Sequence, residues 1–227
     1  SLHISAQEKN VRPKIGLTLS GGGAKGLAHI GILKAIDSAG LKVDYITGTS
    51  MGAIIGALYS VGYSGNQIEE ITKVIDWDFL FSNNIPLQSL SMEEKEQYSR
   101  FAAELPFINN KIRLQTGLIT GQELNLKLSE LFFHVYHVRN FDSLPIPFKC
   151  MATDLETGDL VVLDTGNLIT ALRSTMAIPS VFSAVNWDGK KLVDGGLVRN
   201  FPVKNVKEMG ADIVIGSSVT TGLSKID

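Results

Sequence analysis

The stretch Gly48-Thr49-Ser50-Met51-Gly52 sets one serine between two glycines, the G-x-S-x-G spacing of a nucleophile elbow. A serine hydroxyl is a weak nucleophile at neutral pH unless a base takes its proton and the backbone presents it. In an elbow a strand turns sharply into a helix, and the serine stands at the corner in a strained conformation. Side chains at Gly48 and Gly52 would clash where strand and helix nearly touch. Gly56 extends the small face by one turn, with Ala53 and Ala57 beside it. A glycine inside a helix costs roughly 1 kcal/mol relative to alanine, so these glycines point to close packing. Ser50 would also head a helix, where free N–H groups favour developing negative charge. The pentapeptide alone fits a tight structural turn as well.

A second glycine cluster lies in "LSGGGAKGLAH". Gly21, Gly23 and Gly26 match G-x-G-x-x-G between a strand-like and a helix-like run, the context of a dinucleotide-binding turn. Such a site needs an acid at the end of its second strand. Here that strand ends in Gly48-Thr49-Ser50, and Asp44 lies at its start. A phosphate P-loop fails too, because Lys25 precedes its glycine and no Gly-Lys-Ser/Thr follows. The other use of such a loop is an oxyanion hole. N–H groups of Gly21, Gly22 and Gly23 can approach an oxyanion because no Cβ shields them. In other enzymes each such donor is worth about 2.7–4 kcal/mol. Both loops belong at the C-terminal ends of strands, where open α/β sheets bind ligands, so they should face each other across one crevice. Lys25 either adds positive charge there or is a solvated surface lysine. A nucleotide-binding module using this loop remains the alternative reading.

The base is harder to find. The chain has four histidines: His3, His29, His134 and His137. A Ser-Asp-His hydrolase built on an elbow has its histidine last in chain order, and no histidine follows residue 137. His29, one turn past the glycine loop, is expected to pack. His134 and His137 are spaced i, i+3, which could serve a metal. No third ligand adjoins them, so a partly buried structural pair is expected and no metal site. A carboxylate remains. "KLVDGGLVRNFPV" places Asp194 at the end of a short apolar strand, before Gly195 and Gly196. A lone Asp-Gly is usually a turn, and a base must lie within about 2.6–3.2 Å of the proton it takes.

These residues need elements to hold them. "KIGLTLS" reads as a buried strand entering the glycine loop. Leu27, Ile30, Leu33 and Ile36 recur at helical spacing up to Gly40. "VDYITGTS" and "MGAIIGALYSVG" repeat the strand–helix pattern. Short connections between such pairs imply a three-layer α/β/α fold with a mainly parallel central sheet. Further along, "GNQIEEITKVI" reads as a helix and "DWDFLFSNNIPLQSLS" as an aromatic loop. A helix is expected after Ser91, and a strong amphipathic helix over 121–138. "PFKCMATDLETGDLVVLDTG" reads as two strands, and "NLITALRSTMAI" as a helix stopped by Pro179. "VNWDGKKLVDGG" suggests a hairpin turning at Asp188-Gly189. "NVKEMGADIVIGSSV" reads as a short helix and a final buried strand.

The 227 residues suit a single domain over 14–227, after a polar linker over 1–13. With 44% hydrophobic and 19% charged residues, and a net charge of −2, the chain is globular and has no basic footprint for nucleic acid. One cysteine excludes an internal disulfide and any cysteine metal cage. No apolar run reaches the ~20 residues of a membrane helix.

"LSGGGAKGLAHIGIL", "GTSMGAIIGALY" and "LVDGG", standing in this order, resemble bacterial members of the patatin-like phospholipase family. "FKCMATDLETG" and "ALRSTMAIPSVF" resemble family segments too, so the likeness runs from about Lys14 to Val219. It implies that Ser50 is the nucleophile and Asp194 its direct general base, a dyad without histidine. Gly21, Gly22 and Gly23 would form the oxyanion hole, with Lys25, Gly26, Gly48, Gly52, Gly195 and Gly196 supporting the motifs. The implied reaction is transfer of a lipid acyl group to water, as in a phospholipase A or lysophospholipase, with no metal or cofactor. The implied partners are a lipid or phospholipid and, transiently, a membrane surface. Trp77, Phe79 and Phe81 are candidates for a lid or contact patch. Such members are often passengers of a larger outer-membrane protein. Outer-membrane association or secretion is therefore the expectation, with a cytoplasmic location as the alternative.

Overall fold

The computed structural model describes residues 12–80, 107–108, 111–112, 121–179 and 181–220. Strand β1 (Ile15–Leu19) enters the glycine loop, which winds into a 3-10 turn (Gly23–Ala28) before α1 (His29–Ser38). Gly40 ends this unit with φ +62°, a left-handed stop that glycine adopts without strain. Strand β2 (Tyr45–Thr49) turns at Ser50 into α2 (Met51–Ser60). Helix α3 (Gly65–Val74) opens with a capping box: Ser64 Oγ accepts from Gln67 N–H, and Gln67 Oε1 accepts from Ser64 N–H. A short α4 (Trp77–Leu80) replaces the start of the expected aromatic loop. The helix expected after Ser91 lies outside the described residues. A small antiparallel pair, β3 (Phe107–Ile108) and β4 (Lys111–Ile112), stands apart from the main sheet.

Helix α5 (Gln122–Leu131) stops earlier than the apolar pattern suggests; Phe133–Val135 is a 3-10 turn. Periodicity alone does not separate these two states when the apolar run continues. The rest of the sheet follows as β5 (Phe148–Asp154) and β6 (Leu160–Leu163). Helix α6 (Leu168–Thr175) is capped by Asn167 and ends before Met176, short of Pro179. The hairpin β7 (Val185–Trp187) and β8 (Lys190–Asp194) turns through Asp188 (φ +46°) and Gly189 (φ +77°), both left-handed as a type I′ turn requires. Short α7 (Gly196–Arg199) and α8 (Val203–Glu208) lead to β9 (Ile213–Ser217).

The main sheet runs β7-β8-β5-β2-β1-β9, with β6 also on β5. It is mixed. Strands β9, β1, β2 and β5 are parallel, whereas β6, β7 and β8 pair antiparallel. The final strand is an edge strand, and Ile213 is 49% exposed, so it is not the buried strand its apolar run implied.

The layers follow from alternation along β1. Gly16 faces α8, where a Cβ would lie 2.6 Å from Val206, and Thr18 bonds Thr47, which donates to Pro202 O as well. Leu17 and Leu19 face the other way, with Ile46, toward α2. Helix α2 is buried on nearly every side, as a helix apolar all round must be. Asp44 stands at the start of β2, at the opposite end from the glycine loop. There it accepts from Ile15 N–H and from both Arg12 guanidinium nitrogens, which hold its carboxyl below the usual range. No helix among the described residues is long and apolar enough to cross a membrane.

Candidate active site

Ser50 sits at the corner between β2 and α2 with φ +53° and ψ −127°, a conformation a non-glycine residue holds only when its surroundings enforce it. The enforcing contacts are visible. A Cβ on Gly48 would lie 2.7 Å from the backbone of Ala53, and one on Gly52 would lie 2.6 Å from Leu19 O. Backbone atoms cannot turn aside, so both positions are closed to any side chain. Ser50 N–H donates to Thr175 Oγ1 at 2.9 Å, and the Thr175 hydroxyl donates in turn to Met151 O.

Asp194 reaches the same place from the antiparallel half of the sheet. Strand β5 pairs with β2 through Phe148–Met151, with β6 through Cys150–Thr153, and with β8 through Ala152–Asp154. The β6 pairing overlaps both of the others, so β2 and β8 share the opposite edge of β5. Thr49 lies opposite Met151, and Asp194 lies opposite Ala152. The two strands therefore run toward each other along one edge, and their C-terminal ends meet. Ser50 begins where β2 stops; Asp194 is the last residue of β8.

The Asp194 carboxyl is buried, 6% exposed. Burial raises its pKa above the ordinary carboxyl value, while the neighbouring Ser50 side chain and a bond from Gly196 N–H (2.6 Å) favour the charged form and offset part of that rise. Its backbone is tied down too: Asp194 N–H donates to Ala177 O, and its carbonyl accepts from Thr153 Oγ1. Gly195 passes so close to β5 that a Cβ would overlap Met151 O.

The glycine loop faces Ser50, as its placement in the sequence suggests. A Cβ on Gly21 would lie 3.2 Å from Ser50 Cβ. Gly21 N–H is not open to a ligand, however; it donates to Asn200 O at 3.1 Å, fixing the loop to the segment after Asp194. Of the three N–H groups expected from sequence, that of Gly21 is thus already bonded within the chain. Gly26 packs directly on Met51. Lys25 is exposed and reads as a surface lysine.

His29 is fully buried. Its Nε2–H donates to Ser20 O (2.9 Å) and its Nδ1 accepts from Ser217 Oγ (2.8 Å), so it anchors the root of the glycine loop. Burial lowers its pKa. It does more than pack. His134 and His137 are exposed rather than partly buried, and His134 meets Tyr63 edge-on. Among the described residues no cluster of three His, Cys, Asp or Glu could hold a metal.

A cavity of about 250 Å³ opens at Ser50. Gly23 and Ala24 of the glycine loop form one wall, and Leu27, Met51, Met176 and Phe182 make it apolar. Trp77, half-buried and donating to Thr72 O, lines it as well. The Phe79 side chain and Phe81 lie outside the described residues. Thr175 and Asn200 escaped the sequence reading. Thr175 meets Ser50 across 125 positions and Asn200 O meets Gly21 N–H from the far end of the chain, and no local pattern marks either contact.

The patatin-like phospholipase family matches residues 17–207, and the chain belongs to that family. A patatin-like phospholipase domain-containing protein of Caenorhabditis elegans is 30% identical over 207 residues, covering 90% of this chain and 13% of that protein. Lysophospholipase NTE1 of Coccidioides immitis is 29% identical, covering 90% of this chain and 11% of its own length. An NTE family protein of Mycobacterium tuberculosis is 28% identical, covering 91% of this chain and 49% of its own. The chain thus spans half or less of these relatives. In fold it is similar to VipD from Legionella pneumophila, with a TM-score of 0.56 and 17% identity over 90% of this chain and 49% of that one.

Proposed function

We propose that the chain hydrolyses lipid carboxylic esters through a Ser50–Asp194 dyad. The observation that carries this reading is the meeting of Ser50 and Asp194 at abutting strand ends beside an apolar cavity. Ser50 Oγ attacks the ester carbonyl, and its proton passes to the Asp194 carboxylate. The oxyanion is held by the N–H groups of Gly22 and Gly23, and by the N–H groups that open α2 behind Ser50. Collapse expels the alcohol, which leaves with the proton from Asp194. Water then gives a proton to Asp194 and attacks the acyl-enzyme. The fatty acid departs and Ser50 recovers its proton. The step needs no metal. The acyl chain occupies the cavity, and the substrate class is a phospholipid or lysophospholipid, met at a membrane surface.

Nucleotide binding has weaker support. Asp44 is committed to Arg12 and Ile15 at the far end of β2, and the crevice is lined by apolar side chains. Fluorophosphonate labelling tests the proposal. Ser50 should be the labelled residue, and Ser50→Ala should lose both label and ester hydrolysis by on the order of 10⁴-fold or more. Ester turnover that survives in Ser50→Ala rules the dyad out. Lipid profiling of wild type against Ser50→Ala then identifies the head group and ester position.

A further inference from the structure

The Thr175 hydroxyl lies at the junction of the two strand ends and is fully buried. It accepts the Ser50 N–H at 2.9 Å and donates to Met151 O. Met151 is the residue opposite Thr49, and its carbonyl is the surface on which Gly195 packs. One hydroxyl thus bonds the backbone of the serine corner and the β5 carbonyl that seats the loop after Asp194. We infer that Thr175 is a positioning residue for the proposed dyad, holding Ser50 in its strained conformation and in register with Asp194; this rests on the Ser50–Asp194 reading.

The chemistry explains why a hydroxyl is needed. Ser50 follows the last residue of β2, and its buried N–H is accepted by a side-chain oxygen, Thr175 Oγ1, rather than by a strand carbonyl. A buried N–H without an acceptor is costly. Met151 O, next to the point where β2 gives way to β8, needs a donor. Only a group that accepts and donates at once serves both, and a threonine hydroxyl is such a group. Valine matches its shape and supplies neither bond. Without those bonds the corner can relax toward an ordinary conformation, which moves Ser50 Oγ relative to Asp194 and the glycine loop.

Thr175→Val, Thr175→Ala and Thr175→Ser test this, each assayed on protein with a native melting transition. A displacement of about 1 Å at the reacting atoms can cost on the order of 100-fold in rate. Val and Ala should therefore slow fluorophosphonate acylation of Ser50 and lower kcat by roughly 30- to 100-fold, with KM within about twofold. Ser should stay within about threefold of wild type. The acid limb of the pH–rate profile should move upward in Val and Ala, because Ser50 no longer favours the charged form of Asp194. A cavity of purely structural effect would not move that limb. Should Thr175→Val fail to fold, Thr175→Ala carries the same comparison. Wild-type acylation rates in the folded Val or Ala protein would overturn the inference, as would a Ser variant as slow as Val. Absence of any label at Ser50 in wild type would instead overturn the dyad reading beneath it.

Discussion

Ser50 and Asp194 stand at the facing ends of two strands that share one edge of β5: Ser50 follows Thr49, which lies opposite Met151, and Asp194 lies opposite Ala152. The parallel strand β2 brings the serine with a helix behind it. The antiparallel strand β8 brings the carboxyl from the other direction. A wholly parallel sheet would point all its strand ends the same way and would need a further loop to deliver a base. The mixed sheet instead brings the Asp194 carboxyl, the base of the proposed dyad, on a strand end held by Ala177 O, Thr153 and Gly196.

In the proposed dyad, the burial of Asp194 sets the pH dependence. Burial raises its pKa, and the base must be ionised to take the Ser50 proton. Activity should therefore be lost as pH falls, and the midpoint of that acid limb in kcat/KM should lie above the ordinary carboxyl value of 3.8. Short-chain ester hydrolysis measured across acidic pH reads this directly. A limb at or below the ordinary value would mean that another group controls it.

The same burial predicts opposite effects on stability and activity. A carboxyl whose pKa is raised on folding favours the fold while protonated. That contribution is present below the unfolded value and is lost as pH rises through the folded one. At neutral pH the ionised Asp194 thus works against the fold. Asp194→Asn keeps an oxygen for Gly196 N–H and removes the charge. It should abolish turnover and raise Tm at pH 7, with each kcal/mol recovered worth about 2–4 °C in a domain of this size. The gain should vanish at acidic pH, where wild-type Asp194 is neutral too. Melting curves at both pH values decide it; an Asn variant less stable than wild type at pH 7 contradicts the account.

The elbow glycines make a sharper stability test. A Cβ on Gly52 would meet Leu19 O at 2.6 Å and would overlap Ser20 O. Gly52→Ala must push α2 away from β1, which should cost about 1–3 kcal/mol. It should also lower turnover of the folded fraction, because it widens the gap between Ser50 and the glycine loop. Gly31→Ala is the control: it lies on the exposed face of α1 with nothing near its Cβ. That change should stabilise by up to about 1 kcal/mol. Denaturant unfolding separates them, and equal effects at the two sites would remove the packing argument.

The elbow was legible in the sequence because its causes are local. Gly48, Ser50 and Gly52 lie within one turn, and the strand and helix on either side carry clear patterns. Asp194 was not legible as a base from its residues alone. "VDGG" describes a turn as well as a site, and what brings it to Ser50 is the pairing of β8 onto the edge of β5 left free where β2 ends. That register is set by long-range packing, and family resemblance supplied what local pattern could not. Thr175 and Asn200 were invisible for the same reason. The glycine loop does face Ser50, but the bond from Gly21 N–H to Asn200 O joins residues far apart in sequence and has no local signal. Apolar runs misled twice: "ELFFHVYHV" leaves the α-helix at Leu131, and "IVIGS" forms an edge strand.

In the proposed reaction the cavity at Ser50 sets a limit on the acyl chain. At about 250 Å³ it falls below the usual range of small-molecule pockets, so it has room for part of one chain and not for a whole diacyl lipid. Leu27 lines it from the 3-10 turn after the glycine loop and is not part of the dyad or the donor set. Leu27→Trp should fill it. Excluding about two methylenes from apolar burial at roughly 0.8 kcal/mol each gives a loss of about 15-fold. That loss should fall on octanoate and longer esters, while acetate esters, whose acyl group reaches no farther than Ser50, stay within about threefold. The comparison of kcat/KM along a p-nitrophenyl ester series separates the possibilities. A parallel fall at every chain length would show damage to the site itself. An unchanged profile would place the acyl chain outside this cavity.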